Sequence, residues 1–167
     1  MNRIKKRTLL MGLICLAWLL VIFLFSAMNS SNSSNLTEIV LDIVSYTRGN
    51  NPFINELFIK LTENHSIFYV IRKIAHLFVF CILQIISFIL LRTLGFSFFK
   101  STVYSMLIVI GYACTDEFHQ LFVSGRSGQL SDVFIDTIGG SIGLSIVLAT
   151  TLTIQTVKKS LLFFVKK

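Results

Sequence analysis

TLLMGLICLAWLLVIFLFSAM, residues 8–28, runs for twenty-one positions without a charged side chain. At 1.5 Å per residue, a helix of that length crosses a hydrocarbon core of about 30 Å. The run follows Arg3, Lys5, Lys6 and Arg7, a basic start of the kind that opens a secretory leader. It is longer than a leader's apolar region, and Phe25-Ser26-Ala27-Met28 is a poor cleavage site, so the segment is expected to be retained as a helix.

The rest of the chain agrees with that reading. Over 167 residues, 54% are hydrophobic, only 14% are charged and the mean hydropathy is +0.78, which excludes an ordinary soluble domain. The fold class expected is all-α: a four-helix transmembrane bundle forming one integral membrane domain over residues 1–167. Its spans are expected near 8–28, 74–92, 101–123 and 132–155, with Ser66 the earliest start for the second. The third has no breaker before Val123, and Ser131 stands where it would cap the fourth. Between the first two spans, the polar break at 29–35 gives way to two helical patterns: Leu36, Ile39, Val40, Ile43 and Val44, then Phe53, Ile54, Leu57, Phe58 and Leu61. Asn51-Pro52 suits a helix start. These read as short outer amphipathic helices lying on the bilayer surface or capping the bundle; a loop with incidental periodicity is the alternative.

Cys15, Cys81 and Cys114 each lie in an apolar run, match no zinc spacing and are odd in number, so they read as buried free thiols. The net charge of +7 does not indicate nucleic acid, because the positives gather at the chain ends and in one short loop. Placing the N-terminus in the cytoplasm puts ten of the fifteen Lys and Arg residues on the inner side. The five left outside are Arg48, Lys60, Arg72, Lys73 and Arg126. By the positive-inside rule both termini are expected to be cytoplasmic.

That orientation gathers the ionisable residues at the outer boundary, where they are costly unless paired or functional. The second span brings Arg72, Lys73 and His76. The third brings Asp116, Glu117, His119 and Gln120, with Tyr112, Asp116 and His119 on one stripe. The fourth brings Asp132 and Asp136, four apart, followed on the same stripe by Gly139 and Gly143, a pair that lets a neighbouring helix approach closely. With Arg126 in the turn between the last two spans, these residues are the candidate functional cluster, and their acids are expected to face into the bundle. His65 reads as an ordinary interfacial residue and Gln84 as an interhelical hydrogen-bonding group.

The chemistry such a set supports stays open on spacing alone. A divalent metal held by His and carboxylate, metal-free acid–base work with Arg126 and Lys73 on a phosphate, and recognition of an anionic headgroup all use these residue types. A structural network, in which Lys73 and Arg126 neutralise the acids and fasten the helix ends, is the plain alternative. No fixed metal-binding spacing such as H-E-x-x-H is present, which weakens the metal reading.

Four segments carry a family resemblance: Arg72-Lys73-Ile74-Ala75-His76, Asp116-Glu117-Phe118-His119-Gln120-Leu121-Phe122, Gly125-Arg126, and Asp132-Val133-Phe134-Ile135-Asp136-Thr137-Ile138-Gly139. In them the chain resembles the VanZ-like membrane protein family, as does Phe25-Ser26 with the Ser/Asn-rich stretch that follows. The resemblance implies a role at the outer face of the cytoplasmic membrane, since the family is named for a component of glycopeptide-resistance clusters associated with resistance to teicoplanin. It implies motif positions at Lys73, His76, Asp116, Glu117, His119, Gln120, Arg126, Asp132 and Asp136, and no nucleophile. The expected partners are the lipid bilayer and a lipid-linked cell-wall precursor or lipoglycopeptide. Binding such a ligand and catalysis on it, as a hydrolase or transferase, are the two function classes. Transport has no broken-helix pathway to use.

Overall fold

In the computed structural model the described residues are 3–28, 42, 45, 46, 49, 51–63, 66–124, 126 and 128–165. Among them the chain forms five helices and no strand: α1 Arg3–Ala27, α2 Pro52–Thr62, α3 Ile67–Thr93, α4 Phe98–Gln120 and α5 Leu130–Val165. All but α2 are long and apolar enough to cross a membrane. Helix α2 begins at the proline and carries the second of the two amphipathic patterns; the first, with His65, Lys166 and Lys167, lies outside the described residues.

Local chemistry sets most of the boundaries. Ser66 opens α3, its side chain accepting a hydrogen bond from the Tyr69 amide, and Ser97 opens α4 by accepting from the Lys100 amide. Between them α3 ends in a Schellman turn: Gly95, at φ +89°, donates to the Arg92 carbonyl at 3.2 Å, and Phe96 to Leu91 at 3.1 Å. Two boundaries differ from the sequence expectation. Helix α4 stops at Gln120 rather than Val123; the amides of Phe122 and Val123 turn back to the carbonyls of His119 and Gln120 at 3.0 and 3.2 Å. Ser131 does not cap α5, which already starts at Leu130; its hydroxyl donates to the side chains of Gln129 and Asp132 at 3.3 and 3.1 Å.

Helix α3 is the hub and packs on each of the other four, while α1 touches α3 and α4 but, among the described residues, not α5. Ile22, Phe80, Leu83, Val109 and Ala113 form the centre. Lipid is as apolar as these side chains, so close backbone approach and interhelical hydrogen bonds hold such a bundle together. Both are present. A Cβ at Gly139 would run into the Leu77 carbonyl and one at Gly143 into the Cys81 carbonyl, which brings α5 directly against the α3 backbone. Trp18 Nε1 donates to the Val79 carbonyl at 2.9 Å, Tyr112 Oη to the Leu19 carbonyl at 2.6 Å, and Gln84 Nε2 to Ser105 Oγ at 2.8 Å. The outer surface is apolar, with Leu16 at 64%, Phe78 at 62% and Phe134 at 71% exposure, as a lipid-facing surface requires. Cys15 and Cys81 are buried free thiols; Cys114, expected with them, is exposed because its position on α4 turns away from the neighbouring helices.

Candidate functional site

The last turns of α1 and α4 and the first turns of α3 and α5 meet at one end of the bundle. Asp116, Glu117, Gln120, Asp132 and Asp136 are all buried there, together with Lys73. In place of one shared network, the nine candidate residues divide by their partners.

His76, Asp116 and Asp136 form the inner group. His76 Nδ1 lies 3.4 Å from Asp136 Oδ1 and 4.0 Å from Asp116 Oδ2. Asp116 is held in place: its Oδ2 accepts from Ser26 Oγ at 2.8 Å and from Gln120 Nε2 at 3.0 Å. Asp136 is not. It is fully buried, and neither carboxylate oxygen has a hydrogen-bond partner; nor does His76 Nδ1, which is misaligned toward it. An unpaired buried carboxyl is among the most expensive groups a fold can carry.

Outside that group most of the ionisable residues have partners of their own. Lys73 pairs with Asp132 and packs over the Tyr69 ring at 4.8 Å. Glu117 accepts from Gln120 Nε2 at 3.1 Å and from the Gln129 backbone amide at 2.8 Å, tying the loop before α5 onto the end of α4. Arg126 caps the end of α1, Nε donating to the Met28 carbonyl at 3.0 Å and an Nη to the Phe25 carbonyl at 3.3 Å, where the helix dipole favours a cation. Its other Nη is buried and unpartnered. Burial, reinforced by the charge of Arg72, holds the Arg126 pKa below the usual guanidinium range. His119 lies outside the inner group, with its ring 4.5 Å from Phe23 and its Nδ1 buried without a partner.

The stripe of Tyr112, Asp116 and His119 faces α1, through Leu19, Ser26 and Phe23 respectively. Sequence reading overlooks α1 as a contributor, and with it Ser26, which is fully buried. The signal is there in outline: among the described side chains of α1, Cys15, Ile22 and Ser26 are buried and recur at i, i+7 and i+11. Arg72, which the sequence places beside Lys73 and His76, takes a separate position. It lines a cavity of about 370 Å³ between α1 and α3. Trp18, Val21, Ile22, Phe78 and Val79 make its walls apolar, and Ser26, Arg72, His76 and Arg126 collect at its polar end.

Chemically, this arrangement presents two guanidinium groups and an imidazole at the head of an apolar groove, with two buried carboxylates behind the imidazole. A family model described as VanZ/LLP1 matches residues 11–153, a stretch that contains α3 and α4, most of α1 and α5, and every candidate residue. No curated protein and no solved structure matches the chain.

Proposed function

The chain belongs to the VanZ/LLP1 family, and from that premise we propose that it sits in the cell membrane with both termini cytoplasmic and engages a membrane-anchored anionic ligand at its outer face. The observation that carries this reading is the groove: apolar along its length, it ends at Arg72 and at an Arg126 with a buried, unpartnered Nη. A hydrocarbon chain fits the walls, and the guanidinium groups of Arg72 and Arg126 at the head of the groove attract an anionic headgroup. Lipid-linked cell-wall precursors and lipid-tailed glycopeptides both have this chemistry. Engagement of either modulates susceptibility to drugs such as teicoplanin.

The test is to express the wild-type chain in a susceptible host beside Lys73→Ala, His76→Ala, Glu117→Gln, His119→Ala, Arg126→Ala and Asp136→Asn, measuring membrane abundance and susceptibility together. Arg126→Ala and His76→Ala are expected at near-normal abundance with protection against teicoplanin lost. Vancomycin, which has no lipid tail, is the control, and equal protection against both drugs would argue against recognition of a lipid anchor. Susceptibility that tracks abundance across all six variants would make the cluster scaffolding.

A second reading, a hydrolase or transferase acting on a lipid-linked substrate, is favoured by one feature. His76 lines the groove while lying against two buried carboxylates, the position of a general base. Turnover of a lipid-linked phosphate by purified protein, lost in His76→Ala, would select it over simple binding.

A further inference from the structure

We infer that His76, Asp116 and Asp136 form a binding site for one divalent transition-metal cation, of the zinc or manganese class. The site stands on its own geometry, independent of what occupies the groove. One nitrogen and two carboxylate oxygens, one from each residue, lie within 4.8 Å of one another. Bonds of about 2.0–2.2 Å to a tetrahedral ion place neighbouring ligand atoms about 3.3–3.5 Å apart. The 3.4 Å between His76 Nδ1 and Asp136 Oδ1 already has that spacing. The 4.0 Å to Asp116 Oδ2 closes with about half an ångström of side-chain movement on the same bond lengths.

Three further observations point to a cation in particular. Asp136 is 0% exposed with neither oxygen hydrogen-bonded, and the Nδ1 facing it at 3.4 Å is not hydrogen-bonded either; an ion bound between them satisfies that nitrogen and neutralises the carboxylate together. Among the described residues no Lys or Arg forms an ion pair with Asp116 or Asp136: Lys73 pairs with Asp132, Arg126 donates to the α1 carbonyls, and Arg72 lines the groove. Two buried carboxylates therefore face a single imidazole, and a dication balances that charge where a proton balances half of it. Ser26 and Gln120 donate to Asp116, as outer-shell groups do when they orient a ligating carboxylate. The nitrogen donor favours zinc over magnesium and calcium, which prefer all-oxygen sites, and the two carboxylates also admit manganese. His76 also lines the groove, which places the ion one side chain away from that space.

The full chain, purified in detergent and stripped with a chelator, would be titrated with Zn²⁺ and with Mn²⁺. Bound metal would be counted by elemental analysis and folding followed by circular dichroism and size exclusion. The wild type is expected to hold about one ion per chain and to melt at higher temperature with it. Asp136→Asn and His76→Ala are expected to lose at least tenfold in affinity. Glu117→Gln, whose amide oxygen still accepts from Gln129, is expected to bind as the wild type does. If Asp136→Asn fails to fold, Asp116→Asn serves in its place. Substoichiometric binding by the wild type, unchanged affinity in Asp136→Asn, preference for Mg²⁺ or Ca²⁺, or an equal loss in Glu117→Gln would each overturn the site. None of these readouts involves lipid or drug, so they separate failure of the metal site from failure of the ligand reading.

Discussion

Adding one methyl group at Gly139 should loosen both the bundle and the candidate site. A Cβ there would lie 3.0 Å from the Leu77 carbonyl carbon and 3.0 Å from its Cα, and closer still to the carbonyl oxygen. Carbon atoms rest at about 3.5–4.0 Å, and backbone cannot rotate aside, so α3 and α5 must part by about 0.5–1 Å at this level. Overpacking of this kind costs about 1–3 kcal/mol. Gly143→Ala meets the same helix, with Gln84 Cβ and the Cys81 carbonyl carbon each at 3.1 Å. One separation relieves both clashes, so the double variant should cost less than the sum of the singles, as expected of coupled neighbours. Gly111 is the control, because nothing lies within 4 Å of its added Cβ and alanine there should stabilise the helix by about 0.5–1 kcal/mol. Unfolding in mixed micelles with increasing sodium dodecyl sulfate, followed by circular dichroism and by the chain's one tryptophan, measures all four variants. The His76–Asp136 spacing, set by residues on either side of this contact, should open with it and weaken any ligand bound there. Equal stability of Gly139→Ala and Gly111→Ala, or strict additivity of the two clashing variants, would refute close backbone packing as the bond between α3 and α5.

Three other perturbations have clear expected outcomes. Lys73→Met leaves Asp132 buried without its cation and should cost about 3–5 kcal/mol, whereas Lys73→Met combined with Asp132→Leu should recover most of it; the same micelle titration reads both. Tyr112→Phe removes the hydrogen bond to Leu19 and should cost about 0.6–2 kcal/mol, with α1 the first helix to loosen, seen as a shift in Trp18 emission. In a background without native cysteines, Asn35→Cys should react with an impermeant maleimide on intact cells and Lys167→Cys should not; labelling of Lys167→Cys would reverse the proposed orientation.

The spans were legible because the bilayer imposes a length that uncharged runs must meet, and residues 8–28 meet it without interpretation. The end of α4 was not, because Leu121, Phe122 and Val123 are apolar and contain no breaker. The turn is imposed from outside the segment. Glu117 pulls in the Gln129 amide at 2.8 Å, and Gly128 sits so close to the end of α4 that a Cβ on it would lie 2.5 Å from the Glu117 carbonyl oxygen. Contacts of that kind join residues eleven and twelve apart and leave no periodic trace. The place of α1 was hidden for a related reason. Its run is apolar on every side, so periodicity cannot say which face is buried, and the one polar residue at its far end, Ser26, gains meaning only beside Asp116.

Depth in the membrane and residue type make Lys73, His76, Asp116, Glu117, Asp132 and Asp136 look equivalent in sequence. What separates them is whether each charge has been answered. Asp132 has Lys73, Glu117 has an amide and a backbone N–H, and Asp116 has a hydroxyl and an amide. Asp136, the most deeply buried of the four acids, has only a misaligned imidazole. A fold selected for stability alone would replace that carboxyl with an apolar or amide side chain, since the exchange removes a desolvation cost and loses no hydrogen bond. Asp136→Asn should accordingly leave the stripped protein as stable as the wild type or more so by about 1–3 kcal/mol, the pattern of a residue kept for what it does. A substantial loss of stability in that variant would mean that the carboxyl is fastened after all, and that the inner group belongs to the scaffold with the rest.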